Sequence, residues 1–231
     1  MRNSKGSCDS RPDRFPKPVR FERQERISED KLKDFHKLEL GKFYHVYNRG
    51  NNRENIFIED RNYAYFLQLY EKHIPPVAGT YAYSLMRNHF HILVRIRDRS
   101  ETSAHSTPPS VSPDPSQQFS NLFNAYARSV NNAYHRTGAL FQRPFGRIEI
   151  ASESYFMRVI LYIHLNPQRH GFVKHFESYL HSSYQMLLSD EPTFLRRKEV
   201  LDWFGSKESF IQAHQTYGDE KGLEQFIGGD D

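Results

Sequence analysis

The spacing of apolar residues along the chain predicts a series of short strands and amphipathic helices. Apolar residues at alternate positions predict strands at residues 41–50, 80–86, 89–96 and 146–150. Apolar residues three and four apart predict helices at residues 60–73, 119–135, 152–165, 197–204 and 208–216. Asp60 is placed to cap the first helix, and Asn166 with Pro167 is expected to end the third.

The order of these elements is β-α-β-β-α-β-α, followed by shorter helices near the C-terminus. This order suits an antiparallel sheet with its helices on one face, as in ferredoxin-like folds. We therefore predict an α+β fold of this kind, with a C-terminal helical appendage at residues 186–231.

The composition adds polar segments to this picture. The 231 residues are 37% hydrophobic with a mean hydropathy of −0.78, which is low for a wholly compact enzyme. Residues 1–38 are rich in charge and proline and predict a flexible basic leader. Residues 98–117 are rich in Ser, Pro and Thr and predict a mobile loop inside a central domain at residues 39–185.

The charge balance favours an anionic partner without identifying one. The formal net charge is +4 and the isoelectric point is near 9.0. Cys8 is the only cysteine, which excludes a disulfide framework or a cysteine metal site within one chain. No segment is long and apolar enough to cross a membrane, and the N-terminus is charged rather than signal-like, so a cytoplasmic protein is expected.

The sequence His89-Phe90-His91 lies in a predicted strand. Residues two apart in a strand share a face, so both imidazoles are expected to project to one side while Phe90 turns to the other. Two neutral imidazoles on one face can start a divalent metal site. The residues alone leave open a second interpretation, in which these are ordinary surface or hydrogen-bonded histidines.

Tyr162 and Asn166 are four residues apart at the end of a predicted helix. This spacing places them on one helical face, where the phenol could act as a nucleophile and the amide oxygen could complete a mixed nitrogen and oxygen metal site. The same residues also fit a structural role, because Tyr162 lies in an apolar run and Asn166 precedes a proline. The spacing does not decide between the two.

Four sequence blocks resemble those of single-tyrosine HUH transposases and occur in the same order. They are YHVYNRGNNRENIF at 44–57, SLMRNHFHILV at 84–94, GALFQRPFGRI at 138–148 and YIHLNPQRHGFV at 162–173. The ending HSSY at 181–184 is similar to the REP-associated branch. The resemblance implies that His89 and His91 are metal ligands on a central strand. It also implies that Tyr162 is the nucleophile on a neighbouring helix and that Asn166 supplies the third ligand.

The resemblance implies a metal-dependent enzyme, with Mg²⁺ or Mn²⁺ as cofactor, that nicks single-stranded DNA at hairpin-bearing repeats. The enzyme would join strands through a 5′-phosphotyrosine intermediate. The resemblance leaves open whether the protein forms a homodimer. The chain departs from the family pattern at Arg87, Gln168 and His170, and in the insertion that follows the metal strand. None of these departures removes a reacting group, although the insertion puts substrate access in question.

Two other tyrosines are alternative candidates for the nucleophile. Tyr155 lies seven residues before Tyr162 on nearly the same helical face, but Val159 stands where an amide or carboxylate partner would be needed. Tyr126 lies on a different predicted helix and is interpreted as a packing or base-stacking residue.

Basic and aromatic residues outside the metal site are the predicted DNA contacts, because rings stack on bases and cations hold phosphates. A solvated loop with core aromatics is the alternative for most of them. The candidate DNA-binding residues are Asn48, Arg49, Arg53, Phe141, Arg143, Arg147 and Arg169.

Other functions remain open at this point. One is a non-catalytic relative that only binds DNA hairpins, although all four proposed reacting groups are present. Another is a different HUH endonuclease, such as a replication initiator or relaxase, although no Walker-type glycine loop accompanies the motif. A hydrolytic metalloenzyme is more distant, because no acidic ligand or base lies near the His89-Phe90-His91 sequence.

Overall fold

The computed structural model describes residues 37–98 and 113–218. The strands are β1 (Phe43–Arg49), β2 (Ala78–Met86), β3 (His89–Ile96) and β4 (Gly146–Ile150). The helices are α1 (Asp60–His73), α2 (Pro115–Ala133), α3 (Glu153–Arg169), α4 (Tyr184–Leu188), α5 (Arg197–Phe204) and α6 (Lys207–Gly218), with short 3-10 turns at Asn51–Arg53 and Phe176–Ser178.

The strands form one antiparallel sheet in the order β2-β3-β1-β4. Strands β2 and β3 form a hairpin through Arg87 and Asn88, as predicted, while α1 and α2 make the two crossovers. This connectivity is the ferredoxin-like arrangement, so the predicted α+β fold class is confirmed.

The two crossover helices cover one face of the sheet. Phe90 of β3 points to this side, with its ring 5.3 Å from that of Phe66 in α1 and 5.4 Å from that of Phe123 in α2. These rings belong to the main hydrophobic core, which forms because alternate residues of each strand turn to the same side.

Helix α3 covers the opposite face, which differs from the predicted placement of all helices on one side. Its Phe156 ring lies 5.0 Å from Phe43 of β1 and 5.3 Å from Tyr81 of β2. Residues 159–167 of this helix are all buried, so it requires cover on both sides. The order of elements along the chain does not carry that information.

Strand β2 contains a β-bulge next to Thr80. Thr80 pairs with Val94 of β3, but Ala82 pairs with Leu93, so Tyr81 is an extra residue in β2. Beyond the bulge the pairing continues in regular register and places Ser84 opposite His91.

Two helices differ from the sequence prediction at their N-termini. Helix α1 has the predicted bounds, but its cap is Glu59, in a reciprocal capping box with Asn62, rather than Asp60. Helix α2 begins before the predicted Phe119, because the Asp114 carboxylate accepts hydrogen bonds from the amides of Ser116 and Gln117 at 2.7 and 3.2 Å.

Helix α3 continues through Pro167 to Arg169, so the predicted end at Asn166 and Pro167 is wrong. A proline in the last turn removes only one backbone hydrogen bond. The amides of His170 and Phe172 donate to the carbonyls of Asn166 and Pro167 at 3.0 and 2.9 Å and close the helix end. Asn166 is therefore held in helical conformation, one turn after Tyr162.

The C-terminal helices pack on the outer side of α3 through buried histidines. His164 of α3 has its Nδ1 2.8 Å from Nε2 of His214 in α6 and its Nε2 2.7 Å from Oγ of Ser183. The Nδ1 atom of His214 lies 2.8 Å from the carbonyl oxygen of Phe210. Every ring nitrogen of this histidine pair therefore has a hydrogen-bond partner inside the protein.

Much of the predicted polar sequence lies outside the described part of the chain. This applies to residues 1–36 of the predicted leader, residues 99–112 of the predicted loop and residues 219–231 of the predicted appendage.

Candidate active site

Three buried histidines lie on the sheet face that α3 covers. His89 and His91 of β3 project to this side, and His45 of the neighbouring strand β1 joins them. The rings of His89 and His91 are 5.3 Å apart and nearly perpendicular, whereas those of His45 and His91 are 5.0 Å apart and stacked.

The Nδ1 atoms of both predicted ligands are held by other side chains. Nδ1 of His89 lies 2.7 Å from Oδ1 of Asn88, and Nδ1 of His91 lies 2.9 Å from Nε2 of His45. Hydrogen bonds of this kind orient metal-binding histidines and leave Nε2 as the ligating atom. With Nδ1 as the donor in each of these hydrogen bonds, both rings would present Nε2 to a metal.

The environment of His91 favours the neutral imidazole that a metal requires. Its complete burial lowers the pKa of His91 well below the usual value, and the neighbouring His45 and His89 rings lower it further. Arg49 acts in the same direction.

Helix α3 places Tyr162 directly over these histidines. The Tyr162 ring lies 5.4 Å from His91 and 6.2 Å from His45, nearly perpendicular to both. Two turns further on, the ring of the exposed His170 lies 4.9 Å from His89. Asn166 is four residues from each of these α3 residues, so it occupies the same helical stripe between them.

Two buried polar side chains, one on α3 and one on β2 opposite His91, make no hydrogen bond. They are Asn166, in both its oxygen and its nitrogen, and Ser84, the cross-strand neighbour of His91. Burying such groups without partners is costly, and in native proteins it usually indicates a bound ion or water. The unsatisfied Asn166 oxygen and the two imidazoles form a donor set that suits a divalent metal.

Among residues 37–98 and 113–218, no three His, Cys, Asp or Glu side chains are grouped in a way that could hold a metal ion. The predicted set has two histidines and an amide, so the amide oxygen of Asn166 decides whether the site is complete. On donor chemistry and on the burial of Asn166, the residues fit Mg²⁺ or Mn²⁺.

Like Tyr162, the two rival tyrosines are at least partly buried. Burial, followed by the nearby Tyr47, raises the pKa of Tyr155 to about 12. Tyr126 is fully buried, and its hydroxyl donates to the Ile56 carbonyl at 2.8 Å, as expected for a packing residue.

Four of the predicted DNA-binding residues are half-buried or exposed. Arg49 pairs across the sheet with His89 and therefore projects to the same face. Arg169 lies in the last turn of α3, just beyond Asn166. Arg53 and Arg143 are exposed in turns.

The other three predicted DNA contacts are not brought to this site. Phe141 is buried in the core, where its ring packs on Phe123, and is unavailable for base stacking. Asn48 is buried, and its side-chain oxygen accepts a hydrogen bond from the Arg49 amide.

Arg147 lies on the other face of the sheet. Its guanidinium is 4.3 Å from the centre of the Phe145 ring and donates to Ser116 of α2 at 3.3 Å. The alternation of cations and rings at residues 141–147 therefore reflects strand and core packing more than a stacking surface.

The sequence interpretation did not identify His45, Asn88 or Ser84. A signal for His45 exists in the sequence, because it lies in an alternating strand and inside the block at 44–57 that carries the resemblance. Its contact with His91 depends on the pairing of β1 with β3, which a single sequence does not state. For Asn88, the sequence pattern indicates only a position in the hairpin turn.

The chain thus has a ferredoxin-like sheet with a two-histidine central strand and a tyrosine-bearing helix across it. A solved structure described as the REP-associated tyrosine transposase bound to a REP hairpin has a similar fold, with a TM-score of 0.50 and 14% sequence identity. The match covers 68% of this chain and 86% of that chain. At this identity the likeness concerns the fold, and it agrees with the predicted resemblance.

No protein-family model matches the sequence, and no curated protein matches it. Among the helices of the described residues, none has the length and apolar character needed to pass through a lipid bilayer.

Proposed function

We propose that this chain is a metal-dependent enzyme that nicks and rejoins single-stranded DNA at hairpin-bearing repeats, with Tyr162 as the nucleophile. The observation that carries the proposal is the contact between the rings of Tyr162 and His91. Asn166, whose buried side chain makes no hydrogen bond, lies on the same face of the helix as Tyr162. The fold shared with a transposase structure described as bound to a REP hairpin supports this substrate class.

His89, His91 and Asn166 are the residues that would hold the metal. A bound Mg²⁺ or Mn²⁺ supplies positive charge that polarises the scissile phosphate and neutralises charge as the reaction proceeds. Arg49 and Arg169 are the side chains best placed to hold flanking phosphates, while Arg53 and Arg143 contribute exposed positive charge further away.

The reaction exchanges one phosphodiester for another. The Tyr162 oxygen bonds to phosphorus and loses its proton, while the bond to the 3′ oxygen breaks and that oxygen takes up a proton. The products are a 5′-phosphotyrosine and a free 3′-hydroxyl. A second 3′-hydroxyl can reverse the step on new DNA, and no ATP is needed because the bond energy is kept in the covalent intermediate.

A single chain contains the whole proposed site. Tyr162 approaches the histidines of its own sheet, because α3 packs on β2 and β3 of the same chain. The proposed chemistry therefore does not need a homodimer that exchanges tyrosine helices.

The test uses labelled hairpin oligonucleotides from the repeats that flank the gene, incubated with purified protein and Mn²⁺ or Mg²⁺ and resolved on denaturing gels. We expect a nick and a covalent protein–DNA band. Tyr162→Phe should lower the nicking rate by about 10⁴-fold or more, because the nucleophile is removed while its ring remains. Tyr155→Phe is the matched control and should nick at the wild-type rate.

The competing function is a protein that binds hairpins without cutting them. Tight hairpin binding by the wild type with no nick under either metal would support that function and contradict ours. A nick that is lost in Tyr155→Phe and kept in Tyr162→Phe would show that Tyr155, and not Tyr162, is the nucleophile.

A further inference from the structure

His45 is a fully buried histidine to which the proposed reaction assigns no role. It lies on the central strand β1, with its Nε2 2.9 Å from Nδ1 of His91. Its ring also lies 6.2 Å from the Tyr162 ring, so it contacts both a proposed metal ligand and the proposed nucleophile. Because it is buried, it cannot bind DNA itself.

The hydrogen bond between His45 and His91 has two arrangements with opposite consequences. Two imidazole nitrogens at this distance share one proton, so one nitrogen donates and the other accepts. When His91 donates from Nδ1, its Nε2 carries a lone pair and can bind a metal. When His45 donates, the neutral His91 carries its proton on Nε2 and cannot.

His89 has the same arrangement with a partner of a different type. Its Nδ1 lies 2.7 Å from the side-chain oxygen of Asn88, which can only accept. His89 therefore carries its proton on Nδ1 and presents Nε2 as a lone pair. An atom that can accept a hydrogen bond thus lies next to Nδ1 at both histidines of β3.

We propose that His45 is a positioning residue that accepts a hydrogen bond from Nδ1 of His91 and so keeps His91 in the tautomer that can bind a metal. This inference rests on the proposed function, in which His91 is a metal ligand. The stacking of the two rings, 23° from parallel, also holds the plane of His91 in place. Removing the acceptor should weaken metal binding while every proposed metal ligand and the nucleophile stay in the chain.

The first test reads the tautomer in metal-free protein. Long-range proton–nitrogen correlation spectra of histidine-labelled protein distinguish Nδ1–H from Nε2–H, and the His91→Ala and His45→Gln variants assign the signals. We expect His91 with its proton on Nδ1. A proton on Nε2 of His91 would overturn the inference, whatever the enzyme does.

The second test is the affinity for Mn²⁺, measured by calorimetry on variants whose melting shows that they are folded. His45→Leu removes the acceptor and should weaken Mn²⁺ binding by about 10- to 100-fold, as for other residues that support metal ligands. His45→Gln carries an amide oxygen that can accept from His91 and should restore binding. His214→Leu alters another buried histidine and should bind Mn²⁺ as the wild type does.

The outcomes separate this inference from the proposed function. If the wild type binds Mn²⁺ and His91→Ala does not, while His45→Leu binds as tightly as the wild type, then His45 has no positioning role and the proposed function stands. If the wild type itself binds no Mn²⁺, the proposed metal site fails, and the tautomer spectrum still decides the arrangement of His45 and His91.

Discussion

Two buried pairs of histidines lie on opposite sides of helix α3 and differ in what surrounds them. On the outer side, His164 and His214 use all their ring nitrogens within the protein. On the sheet side, His45 and His91 are hydrogen bonded to each other beside an Asn166 side chain that makes no hydrogen bond.

The difference shows how one residue type can serve stability in one place and ligand binding in another. A closed network stabilises the fold because removing any member leaves a buried group unsatisfied. A site with unsatisfied polar atoms lowers the stability of the empty protein but is ready to bind an ion. Both pairs are buried, so burial alone does not distinguish them.

The largest contrast is expected from Asn166→Leu, which replaces the unsatisfied amide with an apolar side chain of similar size. Nicking should fall by about 10²-fold or more, because the third proposed ligand is lost. The free energy of unfolding in EDTA should rise by about 1 kcal/mol, because a buried group without a partner is removed. Chemical denaturation and gel assays measure the two effects. A loss of stability would show that Asn166 is an ordinary packing residue.

His164→Leu should have the opposite profile. It leaves His214 and Ser183 without their partner, and the free energy of unfolding should fall by about 2 to 4 kcal/mol. Mn²⁺ affinity of the folded fraction should stay at the wild-type value. Weakened Mn²⁺ binding in a folded variant would mean that the two sides of α3 are coupled.

The smallest effect is a pH dependence from His214. Burial lowers its pKa from 6.5 to about 4, and it faces His164, whose pKa is also lowered, and Tyr184. As the pH falls, His214 takes up its proton at a higher pH in the unfolded chain than in the folded protein. The contribution of His214 to the stability is therefore complete above about pH 6.5 and is lost as the pH falls towards 4. Denaturation at about pH 7.5 and pH 5 should differ by about 2 kcal/mol from this group. His214→Leu should reduce that difference, and an unchanged difference would assign it to other residues.

The sequence predicted the strands, most helices and the alternation of His89 and His91 well, because these depend on local periodicity. The helix through Pro167 was missed because proline usually ends a helix, whereas here the break falls in the last turn. The burial of Phe141 and the contact of His45 with His91 depend on which strands pair and which helices cover them. Those are properties of the whole fold that local patterns do not contain.

The bulge at Tyr81 has a consequence for sequence variation among proteins that share this fold. With regular pairing from Thr80 onwards, Tyr83 would lie opposite His91, and Ser84 would turn into the apolar core beside Phe90. A shift of the pairing by one residue beyond the bulge would therefore exchange a hydroxyl for a bulky ring next to the histidines. Length changes in related sequences should thus be confined to the segment before the bulge, while the spacing from the bulge to the hairpin stays constant.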